Sequence, residues 1–379
     1  MIKVGITGQG GFIGYHLYHT LGFSPTKFER INFKREYFNN INKLKNFVES
    51  CDIVIHLAAL IRHKDSNIIE NNNIELVNKL LHACDLAESK PKLFFASSTQ
   101  EDLNTPYGIS KKMASALFKD WSNKNNSVSK ALIIPNVFGP FCKPFHNSVI
   151  ATFCHQLVSN EEPKIEVDKE LNLIFVNDLA VKIINCIDKA FDTNSIDISF
   201  SKINIDYTNS KKVSDVLIKL KSFKELYLVD GIFPNLSNSF DRNLFNTFLC
   251  YINFNLFFPY KLENNIDERG SFVETVKFHS KGQVSFSSTA PGITRGNHFH
   301  TRKAERFAVI RGKAQIEIRR IGSDKKESFF LDGSEPSFVD MPIWHTHKIT
   351  NIGNSELYTL FWTNEYYDSK DPDTYFHEV

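Results

Sequence analysis

Tyr107 and Lys111 stand four residues apart in Tyr107-Gly108-Ile109-Ser110-Lys111, which puts a phenol and an ammonium on one face of a helix. A neighbouring cation lowers a phenol's pKa and makes tyrosine a usable proton donor or acceptor near neutral pH. Upstream, Phe94-Phe95-Ala96-Ser97-Ser98-Thr99 reads as a buried strand whose terminal hydroxyls can orient a substrate carbonyl. A second constellation lies far downstream: His298-Phe299-His300, then Glu305, then a Gly turn at Gly312. Histidines at i and i+2 on a strand project to the same side, and Glu305 arrives from the next stretch. Pro342-Ile343-Trp344-His345-Thr346-His347 adds a histidine from a later strand. Three imidazoles and one carboxylate suit zinc or another first-row divalent ion.

A third motif opens the chain. Thr7-Gly8-Gln9-Gly10-Gly11-Phe12-Ile13-Gly14 follows an apolar strand and begins a helix. Glycine at 8 permits a tight turn, glycine at 11 allows close approach of a pyrophosphate, and glycine at 14 lets helix and sheet pack closely. NAD-binding chains usually place an acid about 20 residues further on. Here Phe28-Glu29-Arg30-Ile31-Asn32-Phe33-Lys34-Arg35 ends without one, and Lys34 or Arg35 offers a 2′-phosphate a partner, favouring NADP(H).

These side chains need a scaffold, and the chain supplies two. Lys3–Thr7, Ile53–Leu57, Lys92–Ala96 and Lys130–Pro135 read as buried strands. They alternate with helical periods at Phe12–Leu21, Ile74–Leu86 and Lys111–Trp121, with a further helix at Val213–Leu220. That alternation predicts a doubly wound parallel α/β sheet of Rossmann type. From Ser271 onward short period-two strands (Gln283–Ser287, Arg306–Ile310, Ala314–Arg319) are separated by Gly and Pro turns. This is the pattern of an all-β sandwich or barrel. The expected division is 1–250 for the dinucleotide-binding domain and 251–379 for the β domain.

Composition limits the alternatives. The 379 residues carry 45 Lys+Arg against 43 Asp+Glu, so no basic footprint points to nucleic acid. Six cysteines lie far apart without a CxxC pair, as expected of reduced thiols in a cytoplasmic protein. The Met1–Ile6 opening reads as a strand and not a signal peptide, and no apolar run is long enough for a membrane span.

The first 245 residues resemble the extended short-chain dehydrogenase/reductases that act on nucleotide sugars. The likeness rests on Thr7–Gly14, Asp52-Ile53-Val54-Ile55-His56-Leu57-Ala58-Ala59, Tyr107–Lys111 and Pro135-Asn136-Val137-Phe138-Gly139-Pro140. It implies cofactor contacts from Gly8, Gly10, Gly11, Phe12, Ile13, Gly14, Arg35, Leu57, Ala58, Ala59, Tyr107 and Lys111. It also implies a catalytic hydroxyl at Thr99, with Ser98 as the alternative, and a substrate contact at Asn136. Only seven residues separate Thr99 from Tyr107, fewer than is usual in that family, so the pocket is built differently.

The β region resembles a cupin, a jelly-roll barrel. Its two half-motifs imply His298, His300, Glu305 and His347 as ligands, with His345 a neighbour and Trp344 standing where a glycine is usual. The Asp267–Glu274 stretch also resembles the cupin epimerases of 4-keto-6-deoxysugars, in which the histidine matching His298 is a base. The two roles conflict, and the ligand role is preferred. End to end, the chain is similar to the bifunctional UDP-2-acetamido-2,6-dideoxy-hexulose epimerase/reductases of capsule and O-antigen synthesis. That resemblance implies a UDP-sugar substrate, NADPH, a homodimer, epimerisation in the cupin and reduction at carbon 4. Two other readings are an NAD-retaining 4-epimerase with a structural cupin and a nucleotide-sugar-binding regulator.

Overall fold

Strands buried on both faces build the first sheet. The computed structural model describes residues 1–88, 90–192, 199–262, 265–267, 270–272, 275–278, 282–365 and 368–379. Six parallel strands, β1 (Ile2–Thr7), β2 (Phe28–Ile31), β3 (Ile53–His56), β4 (Lys92–Ser98), β5 (Ser129–Ile134) and β6 (Phe200–Asn204), lie in the order β2-β1-β3-β4-β5-β6. Successive residues serve opposite faces. Ile53, Ile55 and Phe94 pack with Leu17 and Leu179, whereas Val54, Leu93 and Phe95 pack with Phe47, Leu80 and Phe118. Two fully covered faces explain the continuous apolar runs, as expected of a parallel sheet. The chain leaves β1 toward β2 on one side and reaches β3 on the other, so a crevice opens at that reversal.

The second scaffold is antiparallel. One five-stranded sheet orders β7 (Tyr260–Lys261), β13 (Ser337–Met341), β10 (Glu305–Arg311), β15 (Leu357–Thr363) and β8 (Gln283–Thr289). The other orders β12 (Lys326–Asp332), β11 (Lys313–Arg320), β14 (His345–Asn351), β9 (Thr294–Phe299) and β16 (Tyr375–Phe376). Ile316, Ile318, Phe329, Leu331, Phe338 and Ile349 belong to its core.

The expected boundary near residue 250 is corrected by the packing. One unit comprises Met1–Phe138, Cys142–Val149 and Asp168–Val213; the other comprises Gly139–Phe141, Ile150–Val167 and Ser214–Val379. Strands replace helices near 250, but the segment before that point already packs against the β region. Phe233 lies 3.9 Å from the Trp362 ring, and Asn246 Nδ2 donates to Arg302 O at 3.1 Å. A switch in periodicity therefore does not mark where the core divides. Of the Asp267–Glu274 stretch, residues 268, 269, 273 and 274 lie outside the described residues. Among the described residues, no helix is long and apolar enough to cross a membrane.

Candidate functional site

In the first unit the expected site residues gather at the carboxyl edge of the sheet, where α/β folds bind ligands. Gly8–Gly14 follow β1, Leu57–Ala59 follow β3, Thr99 follows β4 and Asn136 follows β5. Gly8 has φ +78°, and a Cβ on it would sit 2.9 Å from Ala58 N. A Cβ at Gly14 would sit 2.2 Å from Gly8 O, so the turn can close onto α1 (Phe12–Leu21) only with hydrogen there. Around Gly10 no atom lies within 4 Å of such a Cβ, and Gly11 N donates to Gly8 O at 2.9 Å. Phe12 and Ile13 form the first turn, whose N–H groups favour an anion. Gln9 was not singled out from the sequence. It accepts from Phe33 N at 3.0 Å and donates to Asn32, tying the glycine turn to the segment after β2. Lys34 and Arg35 follow on that segment, both exposed.

Tyr107 and Lys111 share the start of α2 (Pro106–Asn125). Thr105 caps this helix by accepting from Gly108 N at 3.1 Å, and Pro106 fills the first position, where no N–H is needed. Lys111 is buried, donates to Ala96 O at 2.7 Å and lies 5.3 Å from the Tyr107 ring centroid. Burial pushes the ammonium down to about 7 and the phenol up to about 12. The expectation that Lys111 lowers the phenol's pKa is therefore corrected: exclusion of water is what acts on the phenol, and it holds the proton on Tyr107 more firmly. Ser98 is buried and accepts from Gln100 N at 3.2 Å, which fixes the turn, whereas Thr99 is exposed at the strand end.

The short segment between them has an anchor that the motifs did not reveal. Glu101 is buried and accepts from Ser97 Oγ at 2.6 Å, from Ser115 Oγ at 3.4 Å and from Lys202. One carboxylate thus ties the segment to β4, α2 and β6. The segment folds so tightly over α2 that a Cβ at Gly108 would lie 2.4 Å from both Gln100 O and Leu103 O. Gly108→Ala is expected to cost about 1–3 kcal/mol through this overpacking, read as a lower midpoint in thermal denaturation.

In the second unit, ligand atoms of His298, His300, Glu305 and His347 all lie within 4.8 Å of one another. A bulge brings them together. Gly296 has φ +107°, and a Cβ there would sit 2.6 Å from His347 O; the register shifts between Gly296 and His298, so that His298 pairs with His347. Glu305 opens β10 and reaches His300 Nε2 at 3.2 Å and His347 Nε2 at 3.0 Å. Those two nitrogens and Glu305 Oε2 are buried without a hydrogen bond. His300 Nδ1 faces Asp373 O at 2.5 Å and His347 Nδ1 faces His345 O at 3.3 Å. Each carbonyl takes the ring proton on Nδ1, so Nε2 is the nitrogen each ring would present to an ion, the arrangement metal-binding histidines use. This donor set fits a divalent ion. Burial opposes charge on Glu305, but His300 and His347 hold its carboxyl well below the ordinary range. A cavity of about 290 Å³ adjoins the group, lined also by Lys303, Phe361, Thr363 and Thr374.

His345 stands apart from this cluster, its Nδ1 facing Ile343 O at 3.0 Å and its ring against Phe254 and Phe141. Trp344, at the position where the cupin resemblance implies a glycine, takes a left-handed backbone with φ +60°. Full burial and stacking on Phe299 at 5.7 Å offset that strain.

Comparison with known proteins finds a family model for each end of the chain. Residues 4–198, just over half of the chain, match the family model described as the NAD dependent epimerase/dehydratase family. The chain belongs to that family. Residues 265–375 of this epimerase/dehydratase relative match a second model, the polysaccharide biosynthesis C-terminal domain. The chain is 29% identical over 377 residues to UDP-2-acetamido-2,6-beta-L-arabino-hexul-4-ose reductase of Pseudomonas aeruginosa, covering 99% of this chain and 98% of the relative. It is also similar to the crystal structure of the capsular polysaccharide assembling protein CapF from Staphylococcus aureus. There the identity is 32%, each chain is covered completely and the TM-score is 0.59. The structure of RMD from Pseudomonas aeruginosa complexed with NADPH shares the fold of the first part, at 18% identity and TM-score 0.52 over 59% of this chain and 83% of that one. Membership in the family carries with it the use of a nicotinamide dinucleotide.

Proposed function

We propose that this chain is a bifunctional nucleotide-sugar enzyme. Its β region epimerises a UDP-2-acetamido-2,6-dideoxy-4-hexulose beside the keto group, and its first unit reduces carbon 4 with NADPH. The product would be UDP-N-acetyl-L-fucosamine for surface polysaccharide. The observation that carries this reading is likeness to a UDP-4-keto-sugar reductase along 99% of the chain, with both a Tyr–Lys pair and a His₃Glu cluster present.

In the reductase unit, a bound NADPH would supply hydride. Gly8–Gly14 and the first turn of α1 would hold its pyrophosphate, and Lys34 or Arg35 would receive the 2′-phosphate. Thr99 would orient the keto oxygen by donating from its exposed hydroxyl, while Ser98 holds the turn beneath it. Tyr107 would donate the proton that the new alkoxide needs, and Lys111 would set the position of the ring. Asn136, exposed at the same edge, would contact the substrate.

In the barrel, zinc is the ion that best suits three imidazoles and a carboxylate. Held there, it would polarise a keto oxygen and stabilise an enolate. His298, His300, Glu305 and His347 would be its ligands. The adjoining cavity has room for the sugar ring.

The test is a proton NMR time course in heavy water with the full chain, NADPH and the 4-keto UDP-N-acetyl-6-deoxyhexosamine. Deuterium beside the carbonyl together with stoichiometric loss of NADPH supports both activities. Loss of NADPH without deuterium uptake leaves only the reductase. Isomerisation without consumption of NADPH overturns the reductase in favour of a 4-epimerase.

A further inference from the structure

We infer that Asp373 is the positioning residue of the His₃Glu cluster, holding the loop between His300 and Glu305 so that the ligands stay convergent. The inference rests on the metal-holding reading above. Asp373 lies 72 residues from Thr301 in sequence, yet is only 2% exposed and meets four consecutive residues. Its main-chain oxygen faces His300 Nδ1 at 2.5 Å, which fixes the ring proton away from Nε2. Its carboxylate accepts from Thr301 N at 3.2 Å, Thr301 Oγ1 at 2.7 Å, Arg302 N at 2.8 Å and Lys303 N at 3.2 Å. A buried carboxylate that collects several N–H donors is a strong, directional clamp.

The residues around Asp373 extend the same grip. Pro372 O accepts from Lys303 Nζ, and Thr374 lines the cavity beside the ligands. Tyr375 and Phe376 then pair with Phe299 and His298 on β9, and His377 N donates to Asn297 O at 2.8 Å. One strap therefore spans the bulge that sets His298 and the loop that carries His300. Asp373 itself takes a left-handed backbone, φ +42°, which asparagine and glycine also tolerate. Asparagine at 373 keeps the carbonyl for His300 but turns an amide donor toward backbone N–H groups.

The test titrates cobalt(II) chloride into the full chain after chelator treatment, following both affinity and the visible ligand-field bands. Asp373→Asn is expected to bind cobalt about 10–100-fold more weakly than the parent, with shifted bands, as for loss of an outer-shell partner. Asp373→Gly, which keeps the carbonyl and backbone angle, is expected to lose a similar factor. A purely structural role would lower the midpoint of the metal-free protein and leave the bands of the loaded form unchanged, and that result overturns the inference. Affinity within about threefold of the parent, with unchanged bands, overturns it as well. Should neither Asp373 variant fold, Thr301→Val removes one donor to the carboxylate, and unchanged cobalt affinity there counts against the clamp. Failure of the parent chain to bind cobalt removes the metal reading itself and the inference with it.

Discussion

Replacing Tyr107 with phenylalanine is expected to slow reduction by about a hundred- to ten-thousand-fold, the range for losing a positioned proton donor. Deuterium uptake beside the keto group should continue at the parent rate, because the exchange chemistry is assigned to the His₃Glu cluster. The substitution is a narrow one. Phenylalanine keeps the ring that Lys111 faces at 5.3 Å and deletes only the hydroxyl. With burial pushing the phenol up to about 12, Tyr107 carries its proton at every pH at which the protein would be assayed. Lys111 behaves differently. Burial brings it down to about 7, so its charge is present below that pH and is lost as pH rises through it. The pH profile of kcat/KM for reduction should therefore fall across about pH 7, and Lys111→Met should flatten that limb at a lower rate. A Tyr107→Phe enzyme retaining more than about a tenth of the parent's reduction rate would remove tyrosine from the donor role.

What the sequence made legible were features repeated at the period of a single element. Tyr107 and Lys111 share a helix face because four residues make about one turn. His298 and His300 share a strand face because side chains alternate. The glycines of the first turn are set by contacts within a few residues of each other, such as Gly14 against Gly8 O. Glu101 and Asp373 had no such signature. Glu101 gains its role only when Ser115 and Lys202 arrive from distant elements, and Asp373 only when it folds back to residues 300–303. The phenol's environment was misjudged for the same reason. Spacing places the cation near the ring, but the burial that governs both groups depends on the tertiary fold. Likewise, texture located the strand that opens at Gln283, while the earlier strand Tyr260–Lys261 and the aromatic contacts that carry the preceding segment into that unit were not visible.

Asp340→Ala is expected to cost about 3–5 kcal/mol, because it strands a guanidinium in the interior. Arg306 is 1% exposed and holds Asp340 through two parallel bonds, Nε to Oδ1 at 2.8 Å and Nη2 to Oδ2 at 3.1 Å. Its charged plane is enclosed by Phe338 at 3.6 Å, Phe233 at 4.6 Å and Tyr227 at 5.6 Å. Arg306 sits between Glu305 and Phe307 on β10, so alternation sends it to the sheet face opposite the metal cluster. The pair lies where the short strand Ile232–Phe233 covers that face, which makes it a fastening between cover and sheet. Removing one partner and removing both should differ in sign. The double replacement Arg306→Met with Asp340→Leu is expected to be neutral or stabilising by about 1–4 kcal/mol, since no charge then needs desolvation. Urea denaturation of the parent, the single and the double variants measures this directly. Equal destabilisation in single and double variants would mean that the pair attracts more strongly than burial penalises it. The two charges would then be a net source of stability for the unit that carries the cluster.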